Sequence, residues 1–92
     1  MRQARILVVD DEPGMLRAVD RVLSKHHHVV GTRLSREALS IAREFLPELA
    51  IVDIRMPDLD GFELMARLKV RIPGLEVILM TGSVDDLDEK LV

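Results

Sequence analysis

Four short apolar runs, separated by segments of helical period, limit the folds open to this 92-residue chain more than any other feature. They are RILVV (Arg5–Val9), HVVGT (His28–Thr32), LAIV (49–52) and EVILM (Glu76–Met80). Each is too short for a stable helix. Three are continuous in Val, Ile and Leu rather than alternating, which suits strands of a parallel sheet covered on both faces. The second, flanked by His and Gly, suits an edge.

The intervening segments carry apolar stripes at helical spacing. Leu16, Val19, Val22 and Leu23 form the first, after Pro13, which a helix tolerates in its first turn. Ala38, Ile41, Ala42 and Phe45 form the second, with Ser35 as the expected N-cap and Pro47 beyond its end. Leu64, Met65, Leu68 and Ile72 form the third, between a capping-box pair, Asp60 and Glu63, and the stop signal Pro73-Gly74. A fourth helix is expected after Ser83, with Val84, Leu87 and Leu91 apolar. Strands alternating with helices predict an α/β fold, a doubly wound parallel sheet with right-handed crossovers. No repeat or linker interrupts the pattern, so residues 1–92 are expected to form a single domain.

Apolar residues make up 48% of the chain, enough for a core. The formal charge of −3 argues against a direct nucleic-acid surface on this segment, which would need clustered Lys and Arg. Cysteine is absent, which excludes disulfides, thiolate zinc sites and a Cys nucleophile. No run is long enough to span a membrane, and the basic start MRQAR precedes too short an apolar stretch for a signal peptide. A soluble, cytoplasmic protein is expected.

In doubly wound sheets, ligands bind outside the carboxyl ends of the strands. Asp10 and Asp11 end the first run, Asp53 the third and Thr81 the fourth, so all four should share one sheet edge. Alone, an Asp-Asp pair after a strand reads as a turn or helix cap; together with Asp53 and Thr81 it reads as a site. Two ionised carboxylates ~4 Å apart cost roughly 4 kcal/mol at an effective dielectric of about 20. Either one takes a proton or a cation neutralises them. A hard divalent ion with oxygen ligands, Mg²⁺ above all, fits such a set. Zinc or copper fits poorly, because His26, His27 and His28 lie far off by this topology and read as a polar connection. A carboxylate beside a metal also invites phosphoryl transfer, with a hydroxyl such as Thr81 binding one transferring oxygen.

ILVVDDE, IVDIRMPDLDGFEL and VILMTG, in this order and spacing, resemble the receiver domain of two-component response regulators. The resemblance implies flavodoxin-like topology and Asp53 as phosphoacceptor. It implies that Asp10 and Asp11 position Mg²⁺, Asp11 more directly and Asp10 largely through water, with the backbone carbonyl of Arg55 completing the protein's ligands. Thr81 would be the switch hydroxyl and the Gly82 amide a phosphoryl-binding group, while Pro57 and Gly61 would shape the loop after the third strand. The Arg55 side chain is either a surface residue or one that tunes the lifetime of the phosphoryl group. A sensor histidine kinase is the implied partner, with an effector domain in a longer parent protein. Self-assisted phosphorylation and dephosphorylation are implied, without turnover on a separate substrate.

Similar domains continue to a fifth strand, ending in a Lys before a Pro, and a fifth helix. This chain ends at Val92, and Lys90 falls in the helical pattern before the expected strand. A C-terminally incomplete receiver is therefore expected, with strand order 2-1-3-4 and EVILM at an edge. Association with a second copy, or exchange of elements, is expected from such an edge. The alternative function is a phosphorylation-impaired receiver acting as an interaction or dimerisation module. A phosphatase of the haloacid-dehalogenase type would want a second Asp where Arg55 stands.

Overall fold

Every expected run between Arg5 and Met80 forms the element its pattern implies. The computed structural model describes residues 2–81. In chain order these are β1 (Arg5–Val9), α1 (Pro13–Leu23), β2 (His28–Thr32), α2 (Ser35–Phe45), β3 (Leu49–Asp53), α3 (Gly61–Arg71) and β4 (Glu76–Met80). The expected fourth helix after Ser83, Gly82 and Lys90 all lie outside the described residues. Among the described helices, none is long and apolar enough to cross a membrane.

The strands form one parallel sheet in the order β2-β1-β3-β4. β1 and β3 are central and the most apolar, and Leu7, Val8, Val9, Ala50 and Val52 are all at most 1% exposed. α2 adds Ala38 and Ala42 to the core, and α3 adds Leu64 and Leu68. The apolar stripe of α1 covers less: none of its residues is fully buried, and Val22 is 64% exposed. β4 is the edge among the described strands, and its Ile78 is 51% exposed.

The starts of α1 and α3 follow local chemistry, and that of α2 does not. Pro13 opens α1, and the Asp60 side chain caps α3 by accepting from the Glu63 N–H at 2.9 Å. The expected cap of α2, Ser35, is instead its first helical residue, and the N-cap position belongs to Leu34, which has no polar side chain. The Asp58 carboxylate, from the segment between β3 and α3, accepts from the N–H groups of Ser35 and Arg36 in its place. An aspartate oxygen reaching in from elsewhere meets the same unsatisfied donors that a local cap would.

At the other end of α2, Leu46 adopts a left-handed conformation (φ 51°) while its N–H donates to the Ala42 carbonyl. A β-carbon in that region costs roughly 1–2 kcal/mol, and Leu46 is 55% exposed, so little packing offsets it. Leu46→Gly is therefore expected to raise unfolding free energy by about 0.5–1 kcal/mol in a urea titration, after allowance for glycine's larger unfolded-state entropy.

His26 and His27 lie in the connection between α1 and β2, and His28 opens β2. His27 Nδ1 accepts the Ala4 N–H at 3.0 Å, and the His28 N–H donates to the Ala4 carbonyl. His27 and His28 fasten the amino-terminal segment at the amino end of the sheet. Glu48 gathers Arg2 and Arg5 there as well.

Candidate functional site

Parallel register decides which strand ends meet. Val9 lies opposite Val52, and Asp53 lies opposite Met80, so Asp10, Asp53 and Thr81 leave the sheet at nearly one level. Asp10 stays tied to the sheet by its N–H bond to the Thr32 carbonyl, and Ile54 is tied to the Met80 carbonyl. The chain then turns away at the carboxyl edge where the crossovers diverge, the position at which such sheets bind ligands.

Asp10, Asp11 and Asp53 each place a carboxylate oxygen so that all three atoms lie within 4.8 Å of one another. Asp10 is buried, at 5% exposure, while Asp11 and Asp53 are half-buried. Asp10 Oδ1 accepts the Glu12 N–H at 2.9 Å, and Asp53 Oδ1 accepts the Arg55 N–H at 3.1 Å. Burial pushes the Asp53 carboxyl above its ordinary range; the Arg55 N–H opposes this, and the charges of Asp10, Asp11 and Glu12 reinforce it. Asp58 shows the contrary outcome. Desolvation pushes its carboxyl up, but the N–H groups of Arg36 and Ser35 outweigh that and hold it below the usual carboxylate range.

The donor set fits a hard divalent cation. It is three carboxylates with overlapping reach, one of them buried, and burial, reinforced by the crowding of charges, has already raised the affinity of Asp53 for a proton. A dication relieves that crowding, and an all-oxygen set with room for water is the environment Mg²⁺ prefers. Arg55 is exposed, and its backbone follows directly from the trio. Thr81 is exposed at the same edge, one residue past β4. Two shallow depressions flank the trio: one between Asp11 and the 54–60 segment, the other between Asp11, Thr32, Arg33 and Glu37. Arg33 Nε donates to the Asp11 backbone carbonyl, closing the second beside the site.

Two participants escaped the sequence reading. Asp58 and Ser35 join the 54–60 segment to α2, with Ser35 Oγ donating to the Leu59 carbonyl at 2.7 Å. The available signal was negative: Leu34, directly before a helix, offers no capping oxygen.

The described residues form a parallel doubly wound sheet with an acidic trio at its carboxyl edge, a candidate cation site. The sequence profile of the response regulator receiver domain matches residues 6–91, and the chain belongs to that family. It is 35% identical over 88 residues to the transcriptional regulatory protein GlrR of Escherichia coli, covering 92% of this chain and 20% of that protein. It is 41% identical over 81 residues to the virulence factors putative positive transcription regulator BvgA of Bordetella pertussis, covering 85% of this chain and 38% of that protein. The chain thus spans from a fifth to under two fifths of these relatives. Among solved structures, the signal receiver domain of an HD domain-containing protein from Pseudomonas fluorescens superposes with a TM-score of 0.88 at 30% identity, covering 97% of this chain and 73% of that one. A CheY-like receiver from Methanospirillum hungatei superposes with a TM-score of 0.86 at 29% identity, covering 98% and 74%.

Proposed function

We propose that residues 1–92 act as one receiver unit whose Asp53 is phosphorylated, with Mg²⁺ bound, by a partner histidine kinase, and that this switches an effector domain in a longer parent protein. What carries the reading is the trio: three carboxylate oxygens within 4.8 Å of one another around an Asp whose carboxyl is pushed upward. Asp10, Asp11, Asp53 and the Arg55 backbone carbonyl would hold the ion. When bound, Mg²⁺ supplies charge neutralisation and orientation of the transferring oxygens.

An Asp53 carboxylate oxygen attacks the phosphorus of a phosphoimidazole. The P–N bond breaks, its electron pair returns to the imidazole nitrogen, and that nitrogen takes up a proton. An acyl phosphate remains on Asp53. The Thr81 hydroxyl then donates to one phosphoryl oxygen and the Gly82 amide to another, so that occupancy of Asp53 shifts the population of conformations around β4. The chain is a cytoplasmic signalling module without turnover on a separate substrate, and it does not itself contact nucleic acid.

A second reading rests on the edge position of β4 among the described strands and the exposure of Ile78. In it the chain pairs with another copy and works as an interaction or dimerisation module without phosphorylation. One experiment separates the two: mass spectrometry after incubation with acetyl phosphate and Mg²⁺, beside light scattering of the same sample. The phosphoacceptor reading expects a gain of one phosphoryl group that needs Mg²⁺ and vanishes in Asp53→Ala. A folded sample that gains nothing and scatters as a dimer supports the second.

A further inference from the structure

The segment 54–60 between β3 and α3 begins at the acidic site and contains neither helix nor strand. Its two ends are fixed by the bonds from the Ile54 N–H to the Met80 carbonyl and from the Gly61 N–H to the Ile54 carbonyl. Its middle is fixed by α2. Asp58 Oδ1 accepts the Ser35 N–H at 3.2 Å and Oδ2 accepts the Arg36 N–H at 3.1 Å. Ser35, which has no exposed surface, also donates through Oγ to the Leu59 carbonyl at 2.7 Å.

A helix cap alone needs one acceptor. Here both carboxylate oxygens are used, and a third bond joins the same two segments through the Leu59 carbonyl, with α2 the donor in all three. Three bonds to separate acceptor atoms restrain relative rotation as well as separation. On the loop's inner side, Met56 is 8% exposed and belongs to the core cluster, so the loop is packed into the core as well as hydrogen-bonded to α2. The loop's first residues meanwhile belong to the site, since the Arg55 N–H donates to Asp53 Oδ1.

We propose that Asp58 is a positioning residue: it locks the 54–60 segment to the first turn of α2, so that α2 holds the Arg55 backbone and Asp53 in register with Asp10 and Asp11. The proposal deepens the phosphoacceptor reading and rests on it for its functional meaning. It makes the first turn of α2 part of what responds when the acidic site is filled.

The test is amide hydrogen exchange by NMR on the full chain, with and without Mg²⁺, on wild type, Asp58→Ala, Asp58→Asn and Arg43→Gly. Arg43→Gly, at an exposed position in the last turn of α2, weakens the helix away from the loop. Asp58→Ala is expected to speed exchange about tenfold at Ser35 and Arg36 and also at Arg55. Its Mg²⁺ affinity, from chemical-shift titration, should weaken about tenfold, the usual scale for a residue that orients ligands from behind. Asp58→Asn, which keeps one acceptor oxygen, should recover part of both. Arg43→Gly should speed exchange within α2 and leave Arg55 unchanged. Acceleration in Asp58→Ala confined to Ser35 and Arg36 would reduce Asp58 to a helix cap and overturn the proposal. Wild-type protein that shows no Mg²⁺ shifts at Asp10, Asp11 or Asp53 would overturn the phosphoacceptor reading, while the exchange at Arg55 still decides the coupling.

Discussion

Gly61→Ala is expected to remove the acidic site and a large part of the fold's stability in one step. A β-carbon at this position would overlap the Asp53 carbonyl oxygen and lie 2.7 Å from Cα of Ile54 and 2.9 Å from the Asp53 carbonyl carbon. The atoms met are backbone, which cannot rotate aside as a side chain would. Nor is the cause an unusual dihedral, since no described glycine has positive φ. Relief requires the start of α3 to move off β3. That movement breaks the bond from the Gly61 N–H to the Ile54 carbonyl and shifts the segment carrying Asp53 and Arg55. Overpacking a tight site costs about 1–3 kcal/mol, more when rigid groups collide; the expected loss is about 3 kcal/mol, a large share of the roughly 5–14 kcal/mol that a domain of this size has in total. Gly74→Ala is the matched control, because nothing lies within 4 Å of a β-carbon there. Urea midpoints and Mg²⁺-dependent shifts of both variants check this. Unchanged values for Gly61→Ala would mean that α3 can slide on β3 without disturbing the site.

The reason for that glycine marks the boundary of what sequence reasoning reached. Short apolar runs, three of them continuous, located all four strands, with β3 one residue longer than its apolar core, because period and β-branched content are properties of adjacent residues. The acidic trio was legible for a different reason. Parallel topology sends every strand's carboxyl end to one edge, so residues 43 apart in sequence, such as Asp10 and Asp53, could be placed together without coordinates. Interactions that depend on how two crossovers pack were not legible. Asp58 sits 23 residues from Ser35, and no local pattern announces that a loop carboxylate will cap a neighbouring helix. The same limit holds for His27, whose ring accepts a backbone N–H from the segment before β1. Leu46 is a third case: a left-handed helix end usually signalled by Gly was occupied by a leucine.

In metal-free buffer at neutral pH, Asp53→Asn is expected to be more stable than the wild type, and Mg²⁺ is expected to reverse the order. The wild-type Asp53 carboxyl titrates above its ordinary range, through burial first and the charges of Asp10, Asp11 and Glu12 after it. Between the ordinary and the raised value, the folded state binds more protons than the unfolded state, so stability falls as pH rises through that window. Above the raised value the whole penalty is present. An ionised pair at the 4.8 Å limit of the trio comes to about 3.5 kcal/mol at an effective dielectric of about 20. Solvent at Asp11 and Asp53 reduces the measurable gain to about 1–2 kcal/mol. Asp58 and Glu48 act with the opposite sign: Asp58's own desolvation is outweighed by N–H groups, and Glu48 is held low by Arg2 and then Arg5. Their contributions are lost as pH falls, and they are common to both proteins. The difference between wild type and Asp53→Asn therefore isolates Asp53: the two stability curves should converge toward acid and separate as pH rises. Mg²⁺ binds the carboxylate form, so wild type should gain about 2.7 kcal/mol at a hundredfold excess over its Kd, and Asp53→Asn much less. Chemical denaturation from pH 4 to 8, with and without Mg²⁺, measures all of this. Parallel pH curves would show that the three carboxylates do not repel in the folded protein. Equal stabilisation of both proteins by Mg²⁺ would place the ion somewhere other than against Asp53.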